Sequence, residues 1–247
     1  MNEKEFASMF RQQEASIDTQ ERNSAIPGMA FGVLMRKVYT WMTLALAITA
    51  GAAYYVANSD LVYTIANNPA LLWGLIIGEL VLVIALSAAI NKLSLSAATI
   101  MFIIYSLVNG VTLSFIFLAY EIETIGTVFL ITAAMFGAMA LFGYTTKKDL
   151  SGIGRFLLMA LIGIIIATVV NILFVKSDGF DLILSYVGVL IFAGLTAYDT
   201  QKIKEMCYNV DYADASAQKL ALLGALSLYL DFINLFLYLL RIFGRRS

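Results

Sequence analysis

The stretch FLLMALIGIIIATVVNILFV, residues 156–175, runs for twenty residues without a charge. As an α-helix rising ~1.5 Å per residue it reaches about 30 Å, the thickness of a bilayer's hydrocarbon core. Apolar on every side, such a helix has no face to turn toward water. Comparable runs flank it at 38–57, 71–90, 96–120, 124–144, 182–199 and 220–240. The 247 residues are 61% apolar and 13% charged, against roughly 25% charged in a soluble domain. Mean hydropathy is +0.85. The fold class expected is therefore all-α: a polytopic membrane bundle of seven transmembrane helices with short connections and the lipid bilayer as its solvent.

Residues 1–33 are polar and mixed in charge, without the basic start and apolar centre of a cleaved signal peptide. They are expected to form a mobile cytosolic tail, leaving 34–247 as the transmembrane domain. Basic residues of short loops stay on the cytoplasmic side. With the N-terminus inside, twelve of the sixteen Lys and Arg fall on inner segments, and only Lys176, Arg241, Arg245 and Arg246 fall outside. The three arginines would obey the rule if 220–240 were re-entrant, but that segment is long enough to cross and is read as a true span. Pro27 and Pro69 both lie outside the apolar runs, so the helices should be continuous. Gly74 and Gly78, Gly110 and Ser114, and Ala133 and Gly137 have the four-residue spacing of close helix packing.

Composition narrows the chemistry. Histidine is absent, which removes the commonest general base and metal ligand. Cys207 is the only cysteine, so no intrachain disulfide forms, and it is read as an incidental loop thiol. A net charge of −1 gives no sign of nucleic-acid binding. Proton chemistry must therefore use carboxylates.

Ionisable groups inside spans are the informative positions, because each costs roughly 2.5–3.5 kcal/mol to place at mid-membrane. Four stand out: Glu79, Asp199, Asp231 and Arg241. Arg241, and Asp199 to a lesser degree, could sit at helix ends. Asp231 could not, with eleven residues of its apolar run before it. In the last span Gly224, Ser227, Asp231, Asn234, Tyr238 and Arg241 fall at steps of three or four and so share one face. Tyr105, Asn109 and Thr112 of the third span, and Thr168 and Asn171 of the fifth, are spaced alike. They fit either a polar path or interhelical hydrogen bonds. If the last helix enters the hydrocarbon about a turn after Leu220, Asp199 and Asp231 come to similar depth. Two neighbouring carboxylates do not both ionise cheaply, so the pair would share a proton and act as a pH switch. The same oxygens would suit a transient, low-affinity calcium ion.

Two stretches, GLTAYDTQKI at 194–203 and GALSLYLDFINLFLYLLRIFG at 224–244, resemble the Bax inhibitor-1 family, also called the transmembrane Bax inhibitor motif proteins. The resemblance implies six helices around a central seventh, no enzymatic activity, no resident cofactor, and a pH-sensitive calcium leak. It assigns Asp199 and Asp231 to a di-aspartyl pH sensor; Asn234, on the same stripe of the last span, is read from the sequence as part of the ion pathway with them. Glu79 and Arg241 would form a structural ion pair. Where bacterial members carry a second-helix arginine that latches the aspartates, this chain reads Ala89, Ile90, Asn91, Lys92, which leaves Lys92 as the candidate latch, without the planar fork of a guanidinium. A bacterial inner membrane is the expected location, with calcium and protons as the species handled.

Other functions compete. Tyr198-Asp199 also matches the first motif of aspartyl intramembrane proteases, but Asp231 follows Leu-Tyr-Leu rather than Gly-x-Gly, and no proline lies beyond Pro69. No lysine falls within 220–240, which excludes a retinal Schiff base. A proton-coupled cation transporter fits intramembrane carboxylates. So does a modulator of membrane protein quality control whose cytosolic tail contacts a membrane protease or another membrane protein.

Overall fold

A computed structural model describes residues 32–90, 92–208 and 215–244. Among them the regular structure is helical, with no strand. The elements are α1 (Gly32–Ala57), the short α2 (Leu61–Ala66), α3 (Pro69–Ala89), α4 (Leu95–Leu113) followed by the short α5 (Ile116–Ala119), α6 (Ile122–Thr145), α7 (Ser151–Val170), a π-helical turn (Asn171–Val175), α8 (Asp178–Tyr208) and α9 (Ala215–Phe243). Seven stretches are long and apolar enough to cross a membrane, with α4 and α5, and α7 and its π turn, each counted as one. The protein is an integral membrane bundle.

The expected tail falls almost wholly outside the described residues, as do Arg245 and Arg246. Gly32 and Val33 already belong to α1.

Local chemistry sets the helix ends. Pro69 occupies the first turn of α3, where its missing N–H costs nothing, and Asn68 Oδ1 accepts from Leu71 N–H at 3.3 Å. Ser94 Oγ caps α4 through Ala97 N–H at 3.1 Å. Asn171, the first residue of the π turn, ties down the loop that follows the fifth span: its amide accepts from Ser177 N–H (3.1 Å) and donates to Ser177 O (3.2 Å), while Lys176 turns the chain with a left-handed φ of 50°. A side chain that could have lined a polar path is thus a loop cap.

The sixth span departs most from its sequence boundaries. Residues 182–199 mark the apolar run, but α8 continues to Tyr208, because Lys and Glu extend a helix beyond the hydrocarbon as readily as Leu does within it. Asp199 therefore lies more than two turns from the helix end. Cys207, expected in a loop, is instead helical and buried in the core.

α9 is the centre of the bundle. Two-thirds of its most apolar window is buried (67%), against 6% for α3. Tyr229, Leu222, Leu226, Leu228 and Leu235 are fully enclosed, and Phe102 and Tyr105 of α4 meet the Tyr229 ring edge-on at 6.0 and 5.9 Å. Lipid is as apolar as leucine, so close approach rather than exclusion from water holds such helices together. Gly143 of α6 lies directly on the Ala197 backbone of α8, Gly154 of α7 on the Tyr198 ring, and Gly110 of α4 on the Thr49 carbonyl of α1. Gly74, Gly78 and Gly137 meet nothing within 4 Å, so the spacing that marked them does not produce contacts here.

One end of the bundle is stapled. Gln201 Oε1 accepts from Leu150 N–H and its Nε2 donates to Lys148 O, both at 2.8 Å, while Lys204 Nζ donates to Tyr144 O at 2.7 Å. Lys37 Nζ joins α1 to α9 through Gln218 Oε1 at 2.7 Å. The C-terminal part of α8 thereby holds the loop between α6 and α7.

Candidate functional site: a carboxylate pair among three helices

α8 and α9 run antiparallel in one register. From end to end, Gly224 lies against Ile203, Ser227 against Asp199, Tyr238 against Gly188 and Arg241 against Asp181. Gly188 is the residue that lets the Tyr238 ring lie flat on α8: a Cβ there would sit 2.7 Å from the ring. This register brings the polar face of α9 to Asp199.

Four members of that face, Ser227, Asp231, Asn234 and Tyr238, line a cavity of about 360 Å³ together with Asp199. Its opposite wall is apolar, built in part from Leu158, Leu161 and Ile165 of α7. Ser227 Oγ donates to Asp199 Oδ2 at 2.7 Å. Asp231, one turn further along α9, is 5% exposed, and its Oδ2 is buried without a hydrogen-bond partner. The charged neighbour of Asp231 is Asp199. Asn234 lines the same space while its amide donates to Leu230 O at 2.8 Å. The predicted pair is therefore brought together, with its predicted neighbour Asn234. Among the described residues no group of three His, Cys, Asp or Glu side chains converges. A cation here would meet two carboxylates and neutral oxygens.

Two expected partnerships take another form. Glu79 and Arg241 are not paired: Arg241 lies 3.7 Å from Asp181 and over the Tyr238 ring (5.4 Å), whereas Glu79 accepts from Thr112 Oγ1 at 2.8 Å. The reason is topological. The end of α9 meets the start of α8, where Asp181 stands just before the apolar run, while Glu79 sits midway along α3 and faces α4. Lys92 is exposed in the turn after α3 and makes no ion pair among the described residues. The basic residue whose charge reaches Asp199 is Lys202, three positions along the same helix, its Nζ 5.8 Å above the Tyr198 ring.

The sequence reading missed Asp181, Lys202 and Tyr229. The first two had a signal, since Lys202 stands at i+3 from Asp199 and Asp181 opens the sixth span opposite the last turn of the seventh. Tyr229 lies off the polar stripe among leucines and gave none. Its partners are those of the third-span stripe: its hydroxyl donates to Asn109 Oδ1 at 2.9 Å and lies 2.7 Å from Thr49 Oγ1. For Asn109 and Thr112, hydrogen bonding between helices is what the structure displays.

Residues 32–247 match the family model described as inhibitor of apoptosis-promoting Bax1. The inner membrane protein YbhL of Escherichia coli K12 is 52% identical over 222 residues, covering 89% of this chain and 94% of YbhL. An uncharacterised protein of Borreliella burgdorferi is 42% identical over 229 residues (92% and 97% of the two chains). One from Deinococcus radiodurans is 41% identical over 214 residues (86% and 90%).

Proposed function

The chain belongs to the Bax inhibitor-1 family, and on that footing we propose that it is a pH-sensitive calcium leak of a bacterial inner membrane, with ion passage rather than catalysis as its activity. The observation that carries this reading is the placement of Asp199 and Asp231 on one cavity among α7, α8 and α9, with a buried carboxylate oxygen of Asp231 unpartnered. A carboxylate so enclosed needs a proton or a cation. Because Asp199 lies beside it, ionisation of one carboxylate opposes ionisation of the other, and a proton shared between them is the lower-energy state.

The pair controls α9. With a proton held between them, Asp199 and Asp231 keep α9 against α8 and the central helix plugs the path. Loss of that proton places two negative charges face to face, which favours separation of the helices or entry of a cation between them. Calcium is then bound transiently by the two carboxylates, with Ser227, Asn234 and Tyr238 as neutral neighbours, and passes on because the site lacks the ligands of a permanent cage. With the N-terminus cytoplasmic, as the basic residues predict, the stapled end of the bundle faces the cytoplasm and the aspartates lie in the inner half of the membrane.

Calcium entry into dye-loaded proteoliposomes across a pH series tests this, with the intact protein set beside Asp199→Asn and Asp231→Asn. Protein-dependent flux whose pH response is lost in both variants is expected. Folded protein that carries no calcium at any pH overturns the leak and leaves proton-coupled transport or regulation of a membrane protease as the readings to pursue.

A further inference from the structure

The cavity that holds the aspartate pair opens sideways. Leu158 and Ile165, on its α7 wall, are 44% and 53% exposed although both lie within the fifth span, so at that depth they meet lipid rather than water. Phe192 and Leu195 of α8, both buried, close its floor. On the α9 wall Ser227, Leu230, Asn234 and Tyr238 are only half-buried, whereas Leu228, Tyr229 and Leu235 of the same helix are enclosed. The polar stripe of α9 thus lies on a face that its neighbours leave partly uncovered.

Such an opening sorts ligands by their two ends. Lipid tails reach the mouth but offer nothing to a carboxylate, and an enclosed carboxylate left without a donor is costly. Oδ2 of Asp231 is buried and unpartnered on a side chain 5% exposed, while the Ser227 hydroxyl is already given to Asp199. With one proton shared, as in the reading above, the pair carries a single negative charge, which a monovalent cation balances and a divalent one overshoots. A donor is needed as well as a charge. A primary ammonium supplies three N–H groups, a quaternary one none. An aminophospholipid fits less well, because its phosphate would stand against the aspartates. At about 360 Å³ the cavity has the size of a small-molecule site, apolar on one side with a few convergent polar groups on the other.

We propose that the cavity binds single-tailed hydrophobic amines, which enter from the bilayer between α7 and α9, set a protonated primary amine against Asp231 and Asp199, and lay their hydrocarbon on Leu158, Leu161 and Ile165. The tail brings the ligand to the mouth by partition into the membrane. Because lipid is as apolar as leucine, the ammonium and not the tail decides between bound and free. The charged groups around the ligand's head are the two aspartates and, three residues along α8 from Asp199, Lys202. The proposal rests on the pair as a cation site and not on calcium passage.

The test is photolabelling of the full-length protein in phosphatidylcholine vesicles, in calcium-free buffer, with dodecylamine carrying a mid-chain diazirine. Saturable labelling of α7 around residues 158–165 is expected. Plain dodecylamine should displace it, and dodecanol or dodecyltrimethylammonium only at concentrations roughly tenfold higher or more, the usual effect of losing a hydrogen bond to a charged group. Asp231→Asn should lower labelling by a similar factor. So should Leu158→Trp, which narrows the mouth and leaves both carboxylates in place. The displacement series uses the natural sequence and so decides the matter even where a variant fails to fold. Labelling spread evenly over the lipid-facing helices, displacement by dodecanol or the quaternary amine as readily as by dodecylamine, displacement by phosphatidylethanolamine in the vesicle, or labelling retained in folded Asp231→Asn overturns the proposal. Protein that leaks calcium yet fails these tests loses only this inference; protein that passes them without carrying calcium loses only the leak.

Discussion

Asp231 shows how one residue type takes its meaning from its surroundings. An aspartate in water is an ordinary surface charge, whereas here the side chain is 5% exposed on a central membrane helix, with one oxygen unpartnered. Asp149 is the opposite case. It is exposed in the loop before α7, where the Ser151 hydroxyl and the Ser151 N–H (2.8 Å) hold its carboxyl below the usual carboxylate range. A carboxyl depressed on folding stabilises the fold above its unfolded value and ceases to do so as pH falls through the folded one. Protection of the first-turn amides of α7 against hydrogen exchange is therefore expected to be full at neutral pH and to fall only below about pH 4. Asp149→Asn should reduce that protection at neutral pH. Arg241 and Asp181 offer a second check at this scale. With side chains 39% and 32% exposed, their pair is worth at most ~1 kcal/mol. A double-mutant cycle on Asp181→Asn and Arg241→Gln should give coupling of that size, and one on Glu79→Gln and Arg241→Gln none.

At the scale of elements, the glycines separate helix contacts from helix composition. A methyl group at Gly143 would strike the Ala197 backbone, so Gly143→Ala must push α6 from α8 and is expected to cost ~1–3 kcal/mol, read as a lowered unfolding midpoint in detergent. Gly78 meets nothing, so Gly78→Ala should leave stability unchanged or raise it by up to ~1 kcal/mol through the helix preference of alanine. Spacing cannot tell these two glycines apart, because it places residues on a face without saying what that face meets. The same limit explains which partnerships were legible. The α9 stripe was readable because polar atoms on one face of a buried helix need a shared destination, and Asp199, Asp231 and Asn234 do share one. Arg241 was misassigned because its neighbour depends on which helix adjoins α9, and Lys92 because the reach of a loop side chain is set by the loop's course. The extension of α8 past Asp199 escaped a reading that followed hydropathy, since the helix outlasts the apolar run.

Across the whole molecule, α9 is held by two unlike polar systems. On one side its carboxylate faces that of α8 across the cavity; on the other Tyr229 ties it to α1 and α4. In the proposed reading the first depends on how many protons its carboxylates hold, so the position of the central helix is expected to answer to pH through the aspartate pair. Seven spans and a central last helix were legible from hydropathy and motif because the bilayer admits few alternatives. The two-sided grip on α9 was not, because Tyr229 is a single residue among leucines. The central claim is that the aspartate pair sets the pH response of ion passage. The most direct measurement is the pH profile of calcium flux through Asp231→Asn in proteoliposomes, beside the intact protein. A flat profile with flux retained is the predicted result; a profile that follows the intact protein's would contradict the account.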